Sequence, residues 1–279
     1  MLQPHQKDRA PNKPKVIVVM PAYNAAKTVV DTYQRIPADC VDEVILVDDG
    51  SADETVQVAS QLDLTLIVHP HNAGYGANQK TCYLEALRRG ADVVIMLHPD
   101  GQYDPSIIPN MIEVVHTGKG DFVLGSRFLA PGGALQGGMP RYKFMANRFL
   151  TTVENWVLGT HLSEMHTGYR AFSRELLESI PFLRNSTDFS FDTEMIFQAL
   201  HFGFKMAEVP VSTRYFNDAS SITFSASVVY GLKTLYTALR YLLHRIGLWD
   251  FRLLTAPIPQ QKTVSFQRIG AQSPPRRES

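Results

Sequence analysis

Apolar, often β-branched residues gather in short runs at 16–20, 43–48, 64–69, 92–97 and 121–124. Between these runs apolar positions recur at helical spacing, which predicts helices near 25–36, 53–62, 75–89 and 106–117. Strands that alternate with helices predict an α/β fold, with a mostly parallel sheet and helices on both faces. Gly90 follows Arg88 and Arg89 and reads as the end of the third helix. The chain shows no internal repeat.

Three of the runs end in polar turns. Asp92 to Leu97 leads into His98-Pro99-Asp100-Gly101-Gln102. Alternate residues of an extended chain point the same way, so an imidazole, a carboxylate and an amide can converge on one cation or polar ligand. The alternative is a plain polar turn shaped by Pro99 and Gly101. Val44 to Val47 ends in Asp48-Asp49-Gly50-Ser51. Either carboxylate can accept from a ribose hydroxyl or a base N–H, while Ser51 or Asp53 can cap the next helix. Val16 to Met20 ends in Pro21-Ala22-Tyr23-Asn24. Ligands of α/β sheets bind beyond the carboxyl ends of strands, so three such ends predict one shared crevice.

Asn72-Ala73-Gly74-Tyr75-Gly76-Ala77-Asn78-Gln79 places Gly-x-Gly between a strand and a helix. Gln79 stands where a dinucleotide fingerprint needs its third glycine, and the strand is the third, not the first. The two glycines are expected either to let backbone approach a ligand or to shape the turn. After residue 125 the pattern changes. A glycine-rich stretch at 131–138 suits a lid that orders over an anion, or a plain surface loop. A helix then runs through Leu158, and a strand-like run covers Met206 to Val211.

Lys plus Arg and Asp plus Glu each total 27, so no net basic field draws nucleic acid. Hydrophobic residues make up 44% of the 279, enough for a large core. Cys40 and Cys82 form neither a metal-spaced pair nor a disulfide framework, which fits a reducing cytosol. No signal peptide is visible, and no apolar run approaches the roughly 20 residues that span a bilayer. A cytoplasmic protein, soluble or peripheral on a membrane, is expected. Residues 1–14 and 255–279 are rich in polar residues and proline and read as disordered tails.

Taken in order, Val16 to Asn24, Val47-Asp48-Asp49-Gly50-Ser51, Asn72 to Gly76 and His98 to Gln102 resemble glycosyltransferase family 2. Gly125-Ser126-Arg127, Thr167-Gly168-Tyr169-Arg170, Phe191-Asp192-Thr193-Glu194 and Glu208-Val209-Pro210-Val211 extend the resemblance across residues 15–225. The polyprenyl-phosphate group, which includes dolichyl-phosphate mannose synthase, is the nearest branch. The resemblance implies a GT-A fold and inverting transfer from a nucleotide sugar to a polyprenyl phosphate. It places Pro21, Tyr23, Asp49 and Asp100 at the nucleotide sugar. It places His98, Asp100 and Gln102 at a divalent metal, and Asp100, Arg127 and Asp192 in catalysis. His98 departs from the family, which carries Asp there. Imidazole favours Mn²⁺ over Mg²⁺ on softness grounds.

A phosphate monoester is largely ionised at neutral pH, its second pKa being about 6. It needs orientation and charge neutralisation more than a base. Arg127, Arg141, Arg170 and Arg214 are the expected cations, Arg127 foremost. A hydroxyl acceptor would instead need a base, from Asp192 or Glu194. A nucleotide-sugar-binding protein without turnover is the third reading, prompted by His98.

Residues 226–254 are expected to form a basic amphipathic helical segment. Val228, Val229, Leu232, Leu235, Tyr236, Leu239, Leu242, Leu243 and Ile246 share helical spacing, with Lys233, Thr237, Arg240 and His244 on another face. Such a helix can lie on an anionic membrane, or pack on its own domain or on a second subunit.

Overall fold

The computed structural model describes residues 13–129, 133–213 and 224–255. The expected tails fall outside it but for their inner ends. In chain order the elements are β1 (Val16–Ala22), α1 (Val29–Gln34), β2 (Glu43–Asp48), α2 (Thr55–Ala59), β3 (Thr65–Val68) and α3 (Tyr75–Arg88). Then follow β4 (Val93–Met96), α4 (Ile108–His116), β5 (Phe122–Ser126), α5 (Gly133–Gln136), α6 (Arg141–Leu158) and β6 (Arg170–Ser173). The last are α7 (Arg174–Ser179), α8 (Ser190–His201), β7 (Met206–Pro210) and α9 (Phe224–Arg245).

The strands form one sheet in the order β3-β2-β1-β4-β6-β5-β7. All pairings are parallel except those of β6, which runs antiparallel to both β4 and β5. Side-chain alternation divides the core in two. Val18, Met20, Leu46 and Ile95 face α1, α2 and α4. Ile17, Val19, Ile45 and Val94 face α3, α7 and α8. Every residue of β1 is buried, as a central strand covered on both faces requires.

Several elements differ from expectation. The helix predicted over 25–36 is confined to α1, because side chains from elsewhere hold its first residues in a turn. Thr55 Oγ1 accepts from the Ala25 N–H, and Thr28 Oγ1 donates to the Pro99 carbonyl. The stretch at 131–138, expected as a lid or plain loop, contains the single-turn α5. Its Gly137 lies so close to Thr213 that a Cβ there would stand 2.4 Å from the Thr213 carbonyl oxygen.

The last helix forms, with part of its apolar stripe left facing out. α9 packs on α6 and α8 through Thr234, Thr237, Ala238 and Tyr241. Val228, Val229, Leu232, Tyr236 and Leu239 stay exposed. Thr237, expected on the polar face, is therefore buried. Of the expected basic face, Lys233 pairs with Asp188, and the Arg240 guanidinium lies over the Phe251 ring at 4.0 Å. Among the described residues no helix is long and apolar enough to cross a membrane.

Candidate active site

β1 has β2 on one side and β4 on the other, so the loops leaving the ends of β1 and β4 diverge at that point. A crevice opens there, as the topology demands. It is a cavity of about 850 Å³ lined in part by Pro21, Tyr23, Asp49, Tyr75, His98 and Asp100. Its other side carries Gly168, Asp192, His166 and Tyr230.

The two aspartates after β2 have separate tasks. Asp48 is fully buried and accepts from Ser51 N and Oγ, which fixes the turn. Asp49 lines the crevice. Its Oδ1 accepts from Ala73 N at 2.9 Å and contacts His69 Nδ1 at 2.7 Å, and its Oδ2 accepts from Gly74 N at 3.0 Å. Asp49 thus also holds the loop before α3. Gly74 and Gly76 let that loop dock closely on the chain itself, and Gly74 also lines the crevice. Added Cβ atoms would stand 2.7 Å from the Thr187 carbonyl oxygen and 2.5 Å from that of Ser186. The φ of +100° at Gly74 adds a second reason for glycine there.

At the end of β4, Asp100 accepts from Gln102 N at 3.0 Å and from Gln102 Nε2 at 2.9 Å. His98 stacks on Tyr75, whose hydroxyl is 3.2 Å from His98 Nε2. Burial lowers the His98 pKa, although Asp100 and Asp192 pull the other way. The ring is therefore neutral at neutral pH, the form that can ligate a metal. Gly168 makes room for it, since a Cβ there would stand 2.7 Å from His98 Cδ2. No group of three or more His, Cys, Asp or Glu able to hold a metal occurs among the described residues. One imidazole, one carboxylate and one amide fit a cation that takes its remaining ligands from a substrate diphosphate.

Asp192, in the first turn of α8, is held by three donors. Tyr75 Oη donates to Oδ2 at 2.8 Å, Gln79 Nε2 donates to Oδ1 at 3.1 Å, and Arg170 Nη1 reaches Oδ1 at 3.0 Å. Burial and then the Asp192 charge hold the Tyr75 phenol protonated, its pKa well above the ordinary value. Glu194 does not line the crevice. It accepts from Ser186 N and Oγ, and burial raises its pKa.

The four expected phosphate cations are differently placed. Arg170 is fully buried in β6, where its Nε donates to the Thr167 carbonyl and its Nη1 pairs with Asp192. A phosphate has no access to it. Arg127 is buried against Glu164, to which both its backbone N–H and its guanidinium donate, and Nη2 also donates to the His166 carbonyl at 2.8 Å. Arg141 opens α6 and is exposed. Arg214 lies outside the described residues.

Tyr75, Gln79, Glu164, His166 and Tyr230 were not singled out from sequence. Tyr75 stands between the two glycines of its motif, and His166 directly precedes Thr167-Gly168-Tyr169-Arg170. Tyr230 was hidden in the spacing of α9.

A crevice at the switch point of a mostly parallel sheet, with an acidic strand end facing a second half of the domain, defines a nucleotide-sugar transferase of GT-A fold. Residues 17–180 match the model of glycosyl transferase family 2, more than half of the chain, and the protein belongs to that family. It is 29% identical over 206 residues to polyprenol monophosphomannose synthase of Mycolicibacterium smegmatis, covering 71% of this chain and 77% of that one. It is 28% identical over 206 residues to undecaprenyl-phosphate mannosyltransferase of Micrococcus luteus, covering 71% and 83%. Glucosyl-3-phosphoglycerate synthase from Mycobacterium tuberculosis, solved with Mn²⁺, UDP and phosphoglyceric acid, shares the fold. Its TM-score is 0.62 at 21% identity, over 85% of this chain and 80% of that one.

Proposed function

We propose that the protein transfers a sugar from a nucleotide-sugar donor to a polyprenyl phosphate, with inversion at the anomeric carbon. One observation carries the reading. The crevice has Asp49 and Asp100 on its nucleotide side, and on its other side Tyr230 of a helix whose outer face is apolar and exposed. A polar donor and a lipid-borne acceptor need those two sides. Relatives named for polyprenol and undecaprenyl phosphate support the same acceptor class.

Pro21, Tyr23 and Asp49 hold the nucleoside in this reading. His98, Asp100 and Gln102 hold a divalent cation together with the donor diphosphate, and Mn²⁺ is favoured over Mg²⁺ by the imidazole. When bound, the cation supplies positive charge against the charge that grows on the leaving diphosphate. The acceptor phosphate oxygen forms the new bond to C1 as the bond from C1 to the diphosphate breaks. Arg141 and Arg214 are the cations assigned to the acceptor phosphate, while Arg127 braces the segment before β6 through Glu164 and the His166 carbonyl. Asp192 already receives three donors, which argues against a role as base for a hydroxyl acceptor.

A thermal-shift panel of nucleotide sugars, each with and without Mn²⁺ and Mg²⁺, tests the donor side. One base and sugar should stabilise the protein selectively, more strongly with Mn²⁺ than with Mg²⁺. Transfer to polyprenyl phosphate in vesicles should then stop in excess chelator and return on Mn²⁺ addition. Donor binding without transfer to any acceptor would mark a binding protein instead.

The membrane contact follows from the same surface. Met145, Phe149 and Trp156 on α6 are 60–77% exposed and share one helix face. α9, packed against α6, adds Leu232 and Leu239 at 63% and 52%. Exposed apolar surface of this kind marks a docking face. The double variant Leu232→Glu, Leu239→Glu should keep its melting temperature and lose most co-flotation with anionic vesicles. Unchanged flotation would place the membrane contact elsewhere.

A further inference from the structure

The crevice holds a second set of interacting side chains, apart from the His98–Asp100–Gln102 turn. Glu154 of α6 is fully buried. His166 lies beside its carboxylate, with Nε2 2.9 Å from Oε2 but outside hydrogen-bond geometry. No hydrogen bond from a described residue reaches either oxygen. The other nitrogen of the ring, Nδ1, lies 2.7 Å from the Tyr230 hydroxyl. The two rings meet edge to face, 5.5 Å between centres at 88°. Burial, and then the Glu154 charge, raise the pKa of the phenol, so Tyr230 keeps its proton. His166 and Tyr230 line the crevice.

Three separate elements build this chain: α6, the segment before β6, and α9. The His166 backbone is also braced, since its carbonyl accepts from Arg127. The groups facing the phenol are Thr193 at 3.4 Å, and Asp192 and Arg170, whose charges act on it. The chain sits against α8 and α9, not against the ends of β1 and β2 where the nucleoside is assigned.

The hydrogen inventory shows what the chain can do. The 2.7 Å contact between His166 Nδ1 and the phenol oxygen can run in either direction. If Nδ1 is bare, it takes the phenol's hydrogen, and Tyr230 offers the crevice lone pairs only. If Nδ1 carries the hydrogen, it donates to the phenol oxygen. The phenol's own hydrogen is then available to an anion in the crevice. An anion in the crevice favours the second arrangement, because only there does the phenol turn a donor toward it.

We propose that Tyr230 is a further acceptor-contacting residue, donating its hydroxyl hydrogen to the acceptor phosphate, and that Glu154 and His166 are the positioning residues that aim it. The inference rests on the polyprenyl-phosphate reading and gives its acceptor site a contact that sequence motifs did not mark.

Tyr230→Phe keeps the ring and its packing on His166 and removes only the hydroxyl. It should raise the acceptor KM about tenfold to a hundredfold, the effect of losing a hydrogen bond to a charged group. Donor affinity by calorimetry and melting temperature should stay near those of the parent. Glu154→Gln keeps the shape, removes the charge and should raise the acceptor KM in the same direction with a smaller change. An unaltered acceptor KM in folded Tyr230→Phe overturns the proposal, as does an equal loss of donor affinity, which a merely structural role would give. If Tyr230→Phe fails to fold, Glu154→Gln decides, and an unaltered acceptor KM there overturns it. A parent enzyme that never transfers to polyprenyl phosphate overturns the functional reading and this inference together. Transfer by the parent with an unaffected Tyr230→Phe overturns this inference alone.

Discussion

Asp100→Ala is expected to lower turnover by about a thousandfold while leaving the fold intact. Asp100 lies beyond the carboxyl end of β4, half-buried on the crevice wall. Its carboxylate is held by the Gln102 backbone and amide, both on its own turn. Its loss removes the one carboxylate of the His98–Asp100–Gln102 set. A group that stabilises charge developing on a leaving diphosphate acts mainly in the transition state, and the loss of a single such group costs about a hundredfold to a thousandfold. The far-ultraviolet dichroism and melting temperature should match the parent. Asp100→Asn separates charge from shape: it keeps the hydrogen-bonding outline and should be nearly as inactive. Near-parental turnover in folded Asp100→Ala would remove this residue from the reacting site.

The strand ends that carry this prediction were legible in sequence because they are local. A β-branched run that stops abruptly in Asp-Asp-Gly or His-Pro-Asp-Gly declares both the strand and its polar exit. β6 was not legible. It is four residues long, opens with Arg170 and exists through pairing with β4 and β5, which are distant in sequence. α9 shows the limit of periodicity. Its spacing gave the helix and left open whether the apolar stripe meets a membrane, its own domain or a second subunit. The buried face uses Thr234, Thr237 and Ala238, small residues that let the helix approach its neighbours closely, while Leu232 and Leu239 stay exposed and Leu242 packs on the core. The partners of the arginines were equally hidden. Arg127 meets Glu164, 37 residues away, and Arg170 meets Asp192, 22 residues away, and neither pairing leaves a trace in local pattern.

Arg170 carries the second large expectation, and it concerns stability. The side chain is fully buried, its Nε donates to the Thr167 carbonyl at 2.8 Å, and its Nη1 lies 3.0 Å from Asp192 Oδ1. Its guanidinium also lies 5.6 Å from the centre of the Phe122 ring. Removing one partner of a buried pair leaves the other charge uncompensated, at a cost of about 3–5 kcal/mol. Arg170→Met keeps most of the volume and isolates that electrostatic loss. Tyr75 and Gln79 still donate to Asp192, which opens on the crevice, so the low end of the range is expected. The double variant Arg170→Met, Asp192→Asn should recover part of the stability, since the charge left behind is gone, with a coupling of about 0.5–3 kcal/mol. It should not recover turnover, because Asp192 would no longer hold Tyr75 and Gln79 in place along the crevice wall. Denaturant titration of the three variants with the parent gives the cycle. If Arg170→Met were as stable as the parent and raised only the acceptor KM, the arginine would act on the acceptor, and its burial against Asp192 would be incidental.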